Sequence, residues 1–274
     1  MTTQLITQAT TKRSHTLRLL NWNVHGKTYQ PQTEIGESLL RVAGGPDFDC
    51  VVLTEVPKSH TARLEIQECF ERHGWTVITT PSTPESTFGI TIASRRTAGG
   101  PPTLVASADT PHVNYLVVKA TFGDQSVLIV GVRIKTAGAD AEDYRTRAVG
   151  VESLRLQIAE LQVDHPATLI IGGGDLNHGR IRGLERSYTD DEIDRLYDGL
   201  LQSPVAYERI ANILKRQGLV LHTPASGHSI GGLKLDHVFA PQGVRLTTTY
   251  GQDYWGSDHR PQFATVYLAE YPGE

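Results

Sequence analysis

Along the chain, apolar and β-branched residues gather in short runs that polar and turn residues close. Such runs stand at "LRLLNWNV" (17–24), "CVVLTEV" (50–56), "WTVITT" (75–80) and "FGITIAS" (88–94). They continue with "VNYLVVKATF" (113–122), "SVLIVGVRI" (126–134), "ATLIIGG" (167–173), "LDHVFA" (235–240), "VRLTTTY" (244–250) and "FATVYLA" (263–269). Their length, branched content and Gly, Pro or Asp boundaries predict strands. The gaps "GDQ" and "PQG" predict hairpins joining 113–122 to 126–134 and 235–240 to 244–250.

Helical spacing is clearest at 143–163, where Val149, Leu154, Ile158 and Leu161 fall near one face. A second helix is expected at 58–72. Thr189 and Glu192 form a capping box that opens a third, and Ser203 with Pro204 opens a fourth as cap and first helical residue. Many strands with a few interspersed helices point to mixed α/β layers rather than a doubly wound parallel sheet. No linker, repeat or low-complexity run follows residue 16. The expected organisation is therefore a flexible segment at 1–16 and a single domain over 17–274.

Composition narrows the class without naming it. With 274 residues, 39% hydrophobic and 20% charged, the chain is long enough to bury a large core and is ordinary for a soluble protein. Its net charge of −4 gives no overall basic footprint, so a nucleic-acid partner would have to be met by a local patch. The opening "MTTQLITQATTKRSHT" is polar and has no apolar core, and no later run reaches membrane-spanning length. Cys50 and Cys69 make no disulfide framework and are expected as buried thiols in a reducing compartment. A cytoplasmic location is expected.

Chemistry shows where polar residues interrupt the strands. Asn23 ends the first, Glu55 the second, Asp175 and Asn177 follow the central run, Asp236 opens a late strand, and Asp258–His259 precede the last. Inward-pointing strand ends are costly places for carboxylates. A bound divalent cation is the simplest shared reason, since Mg²⁺ takes oxygen ligands and leaves positions to water and phosphate. The glycines of "LIIGGGDLNHGR" lack the Lys-Ser/Thr of a P-loop and the spacing of a dinucleotide fingerprint, so they are expected to admit close neighbours.

The ordered set "NWNV" (21–24), "VVLTEV" (51–56), "GGDLN" (173–177), "LDHVF" (235–239) and "GSDHRP" (256–261) resembles the endonuclease/exonuclease/phosphatase superfamily, over about residues 17 to 269. That superfamily includes pancreatic-type deoxyribonucleases, abasic-site endonucleases, inositol-phosphate 5-phosphatases and neutral sphingomyelinases. The resemblance implies a four-layered α/β sandwich, two mixed sheets face to face with helices outside and the site at one edge. It implies Mg²⁺ or Mn²⁺ held by Glu55, with Asn23 beside it and Asp258 meeting the metal or its waters. Asp175 would orient or deprotonate the attacking water and Asn177 would hold that water or a phosphoryl oxygen. His259, its tautomer fixed by Asp236, would donate to the phosphoryl oxygen that gains charge. No covalent nucleophile is required.

Two positions depart from the usual pattern. Many relatives carry His or Tyr near the end of the strand "LIVGVRIK"; Arg133 is the nearest match here and would clamp a phosphate instead of acting as an acid. In "NVHG", His25 replaces an acid that helps some relatives bind metal, which puts a second metal position there in question. Asn21 is expected to be structural, and His237, facing away from Asp236, to pack or reach solvent. No Cys/His spacing of a zinc site appears.

Basic residues flank these motifs. Arg180 and Arg182 follow "GDLN", with His178 either reaching substrate or solvating a loop; Lys234 precedes Asp236 and Arg260 follows His259. Arg145, Arg147 and Arg186 either join this rim or are solvated surface charges. Trp255, beside Tyr254, either stacks on a base or caps the core. The expected activity is metal-dependent hydrolysis of DNA or RNA. The alternatives are a small or lipid-borne phosphate ester as substrate, or a non-catalytic binding protein on the same fold.

Overall fold

A computed structural model describes residues 16–25, 48–57, 59–81, 88–95, 99–136, 141–180, 203–230 and 233–268. One six-stranded sheet contains β1 (Thr16–Asn23), β2 (Cys50–Pro57), β3 (Trp75–Thr79), β4 (Phe88–Arg95), β11 (Arg245–Tyr250) and β12 (Gln262–Tyr267), in the order β11-β12-β1-β2-β4-β3. The other contains β5 (Thr103–Asp109), β6 (Val113–Phe122), β7 (Gln125–Ile134), β8 (Leu169–Arg180), β9 (Leu219–His222) and β10 (Lys234–Pro241), in the order β5-β6-β7-β8-β10-β9. Each sheet has one parallel pair at its centre, β1 with β2 and β7 with β8; every other ladder is antiparallel.

The sheets pack face to face, β1 over β8 and β2 over β7. Strict alternation divides the side chains. Leu17 and Leu19 of β1, Cys50 and Val52 of β2, Ile129 of β7, Ile171 of β8 and Val238 of β10 fill the layer between the sheets. Leu20, Trp22, Val51 and Leu53 point the other way, onto Ile66 and Phe70 of α1 (His60–Arg72). Leu128, Val130 and Phe239 face Leu154 and Ile158 of α2 (Ala141–Asp164) and Ile210 and Leu214 of α3 (Ser203–Arg216). Strands buried on both faces read as continuous apolar runs, which is why the sequence marks them strongly. The outcome is the expected four layers, helix, sheet, sheet, helix.

The ten expected strands and the three helices within the described residues are present. The edge strands β5 and β9 were not expected, because "TLVASAD" is half polar and "LVLH" is too short to register. The hairpin expected across 241–243 is not formed. β10 pairs with β8 and β9, whereas β11 pairs with β12 in the opposite sheet, so the turn passes the chain across the sandwich. Turn chemistry marks a reversal without saying which sheet receives the next strand.

On α2 the buried stripe is Val151, Leu154, Ile158 and Leu161; Val149 is exposed, contrary to expectation, because it stands two residues from Val151 and off that face. Ser59 caps α1, its hydroxyl accepting from Ala62 N at 3.3 Å. Both cysteines are buried, and no disulfide joins them. The helix expected from Thr189 and Glu192, with Arg182 and Arg186, lies outside the described residues, as does 1–15 of the expected N-terminal segment. Among the described residues no helix is long and apolar enough to cross a membrane.

The glycines of β8 serve close approach. A Cβ on Gly174 would stand 1.7 Å from the Val132 carbonyl oxygen of parallel neighbour β7, and one on Gly172 would stand 2.0 Å from the Phe239 ring.

Candidate active site

The site grows out of the alternation that builds the core. Following the inward positions of each strand to its end leads from Leu19 to Asn21 and Asn23, and from Ile129 to Arg133. It leads likewise from Ile171 to Asp175, and from Val238 to Asp236. The ladders fix the neighbours: Arg133 is opposite Asp175, and Asp175 is opposite Asp236. Asn23, Asp175 and Asp236 are essentially inaccessible to solvent.

Glu55 reaches this cluster because of a bulge. From Leu53 to Val56 β2 advances three residues while its partner β4 advances two, from Thr91 to Gly89. Without the extra residue, Glu55 would share the parity of Val51 and Leu53 and point at α1. The bulge, with Glu55 itself at φ 56°, turns the carboxylate inward. A second irregularity, between the Asp175–Asp236 and Arg180–Lys234 pairs, puts Asn177 at φ 50°.

Hydrogen bonds then fix each group. Asn23 Nδ2 donates to Asp175 Oδ2 at 2.8 Å, and Asn23 Oδ1 accepts from His25 N at 2.9 Å. Asp175 Oδ1 accepts from Asn177 N at 2.9 Å, while Asn177 Nδ2 donates to Asp175 Oδ2 at 3.2 Å and to Ile134 O at 2.7 Å. His259 Nδ1 meets Asp236 Oδ2 at 2.6 Å. Glu55 Oε1 accepts from Arg133 Nε at 3.0 Å and lies 2.9 Å from its Nη2, and Glu55 Oε2 lies 3.1 Å from His25 Nδ1. Asp258 Oδ2 is 3.7 Å from the same His25 nitrogen.

Electrostatics follow from this crowding. Burial pushes the Asp175 carboxyl up, and the facing Asp236 charge adds to it, to about 7 even though His259 pulls the other way. Burial would lower His259, but Asp236, by charge and hydrogen bond, overrides it and holds the imidazole protonated up to about 10. Burial likewise opposes ionisation of Glu55; Arg133, the Asn23 amide, His25 and His259 together outweigh it and keep its pKa below the ordinary carboxylate value.

The donor set suits a hard divalent cation. Four carboxylates, Glu55, Asp175, Asp236 and Asp258, converge here, and the oxygens Asp236 Oδ1 and Asp258 Oδ1 are buried without a hydrogen-bond partner. Among the described residues, no three or more His, Cys, Asp or Glu side chains form a ready-made cage. A site that leaves most of its shell to water and substrate has that form.

The structure brings together Asn23, Glu55, Arg133, Asp175, Asn177, Asp236, Asp258 and His259. Arg133 was expected to clamp a phosphate; two of its nitrogens instead bind Glu55, and its guanidinium lies 5.7 Å from the Phe88 ring. Lys234 stands at the rim with its ammonium on the carbonyls of Pro224 and Ala225, at 2.8 and 3.0 Å. His178 and Arg180 are carried by β8, their side chains outside what is described. Trp255 is exposed, and Arg260 stacks over the Tyr254 ring at 4.8 Å. Asn21 is structural, donating to His237 O and Gln262 Oε1, and His237 packs against Tyr207 on the far face.

Two supporting residues, Ser257 and Trp22, escaped the sequence reading, and a third, Arg147, was expected only as a rim or solvated surface charge. Ser257 Oγ donates to Asn23 O at 2.7 Å and accepts from His259 N at 3.0 Å, stapling the loop to β1. Trp22 Nε1 donates to His259 O at 2.8 Å. Arg147, one helical turn before Val151, donates to Asn177 O at 2.9 Å. Ser257 and Trp22 sit inside recognised motifs, and only their pairing over long sequence separation reveals their part.

Residues 20–259 match the family model described as "Endonuclease/Exonuclease/phosphatase family". A comparison with curated protein sequences finds no match. Among solved structures, the human Nocturnin catalytic domain with bound sulfate is similar at TM-score 0.60 and 13% identity, covering 92% of this chain and 94% of that one. TDP2 of D. rerio, complexed with a single-strand DNA product, is similar at TM-score 0.54 and 16% identity, covering 92% and 98%. The endonuclease domain of TRAS1, a telomere-specific non-LTR retrotransposon, is similar at TM-score 0.57 and 14% identity, covering 92% and 99%. At such identities the likeness is one of fold.

Proposed function

The chain belongs to the endonuclease/exonuclease/phosphatase family of metal-dependent phosphoric ester hydrolases, and from that premise we propose that it is a nuclease cleaving phosphodiester bonds of DNA or RNA. The observation that carries the reading is the Asp175–Asp236–His259 cluster: two carboxylates paired across one ladder, one holding an imidazole at 2.6 Å. A pair of titrating groups pushed to opposite roles is the signature of acid–base assignment.

Glu55, with Asn23 and Asp258 beside it, would hold Mg²⁺ or Mn²⁺. When bound, such a cation neutralises charge on the phosphoryl group. Asp175, held by three hydrogen bonds from Asn23 and Asn177, accepts the proton of the attacking water; a base near neutral pKa suits that task. Asn177 orients the water through the carboxylate it bonds. His259 is protonated and already gives Nδ1–H to Asp236, so its Nε2–H serves the phosphoryl oxygen on which charge develops. Arg133 keeps Glu55 ionised and fixed in place.

Nucleic acid is favoured over small esters by the loop that delivers Asp258 and His259. It presents the exposed Trp255 ring and the Tyr254–Arg260 stack, the aromatic and cationic surfaces that bind bases and backbone. His178, Arg180, Arg182 and Lys234 would extend this rim. Two proteins of similar fold are a complex with a single-strand DNA product and an endonuclease domain.

The test offers the purified chain duplex DNA, single-stranded DNA, RNA, an abasic-site duplex and small phosphate esters with Mg²⁺ or Mn²⁺. Cleavage of nucleic acid that EDTA and Asp175→Ala both abolish is the expected result. Turnover of small esters alone would transfer the reading to those substrates, and inertness towards all would leave a binding protein.

A further inference from the structure

We propose that His25 is a direct nitrogen ligand of the metal beside Glu55, making the centre a mixed N,O site that favours Mn²⁺ over Mg²⁺; this rests on the metal-dependent reading above. Three observations lead there. First, His25 Nδ1 lies 3.1 Å from Glu55 Oε2. Two donors about 2.1–2.2 Å from one octahedral ion stand roughly 3 Å apart when adjacent, so the two atoms already have the separation of neighbouring ligands. Arg133 holds the other Glu55 oxygen, so Oε2 is the one that faces His25.

Second, the imidazole is aimed. His25 has φ 26°, an uncommon conformation for a residue with a side chain, and its N–H is fixed on Asn23 Oδ1 at 2.9 Å. Asn23 meanwhile is engaged at both ends of its amide, by His25 and by Asp175, which fixes it in place beside Glu55. Third, Asp258 Oδ2 is 3.7 Å from Nδ1, and its buried Oδ1 has no hydrogen-bond partner. That leaves Asp258 to take up a coordinated water at the rim.

The chemistry of the donor decides the metal. Carboxylate and water suit Mg²⁺ and Mn²⁺ alike, whereas a nitrogen donor favours a first-row transition ion over Mg²⁺, so the imidazole is what discriminates between the two. As a ligand through Nδ1, the neutral imidazole would carry its proton on Nε2.

The test is Mn²⁺ binding to the full chain, followed by electron paramagnetic resonance, with pulsed detection of ¹⁴N coupling and Mg²⁺ competition. Wild type should bind Mn²⁺ with the coupling of a directly ligated imidazole. His25→Ala should lose that coupling and bind Mn²⁺ ~10-fold or more weakly, with far less change for Mg²⁺. His25→Asp, which restores an oxygen donor, should shift preference to Mg²⁺; circular dichroism confirms that both variants fold. Mn²⁺ bound without nitrogen coupling, or with coupling unchanged in His25→Ala, would overturn the inference and leave the proposed function standing. No binding of either ion to wild type would overturn both.

Discussion

Four residues other than glycine hold left-handed backbone among those described, His25, Glu55, Asn177 and Trp255, and each lies in the site or in the loop that feeds it. Such conformations cost of order 1–3 kcal/mol each and persist where surrounding structure enforces them. Asn177 and His25 carry residue types that hint at this; Glu55 and Trp255 give no sign in sequence. Trp255→Gly should therefore melt no lower than wild type, while KM for nucleic acid rises about 10-fold for loss of one stacking partner. Steady-state kinetics and a melting curve check both, and an unchanged KM would remove Trp255 from substrate binding.

The same scale sets the pH response of the metal-free protein. The folded value of His259, about 10, lies above its ordinary 6.5, so the imidazolium stabilises fully below about pH 6.5 and loses that effect as pH rises towards 10. Asp175, raised from 3.8 to about 7, acts in the same direction at lower pH, since the fold keeps a proton that the unfolded chain releases. Stability in EDTA should fall from pH 4 to 10. Asp236→Asn should flatten the part above pH 7; denaturant midpoints across pH decide, and an unchanged slope would contradict the pairing.

At the scale of elements, the motif residues were legible and their aim was not. The alternation that fills the core with Leu17, Leu19, Ile129 and Ile171 continues into Asn23, Arg133 and Asp175, so those side chains could be placed once the strands were known. Glu55 could not, because simple alternation sends it under α1 and a bulge with no sequence signature reverses it. The "PQG" turn misled for a related reason: local chemistry specifies a turn, while the choice of sheet is settled by the whole fold. The glycines of β8 were read correctly as room for neighbours. Gly174→Ala would drive a methyl into the Val132 carbonyl, and a destabilisation of about 1–3 kcal/mol in chemical denaturation is expected. A silent substitution there would mean that β7 and β8 can separate.

At the scale of the molecule, two sheets each centred on a parallel pair bring the strand ends β1, β2, β7 and β8 to one edge, and the carboxylates collected there oppose one another until a cation joins them. Metal should thus stabilise the whole fold by mass action, by about 2.7 kcal/mol at a hundredfold excess over Kd. Glu55→Ala should cancel that gain, as differential scanning of the two proteins with and without Mn²⁺ would read out. The family and its layering were legible because five motifs keep their order over almost the entire chain. The substrate was less so, because ester recognition depends on which charges and rings share a surface, such as the Tyr254–Arg260 stack, and sequence order does not encode that.

In the proposed function Asp175, in its cluster with Asp236 and His259, activates water for metal-dependent phosphodiester hydrolysis. The most direct measurement is single-turnover cleavage of an end-labelled oligonucleotide with saturating Mg²⁺ or Mn²⁺, by wild type and Asp175→Asn, with melting recorded on the same samples. Cleavage that EDTA stops is expected, with a rate loss of about 10²-fold or more in the variant, which stays folded. Cleavage that survives EDTA, or a folded Asp175→Asn protein that cuts as fast as wild type, would contradict it.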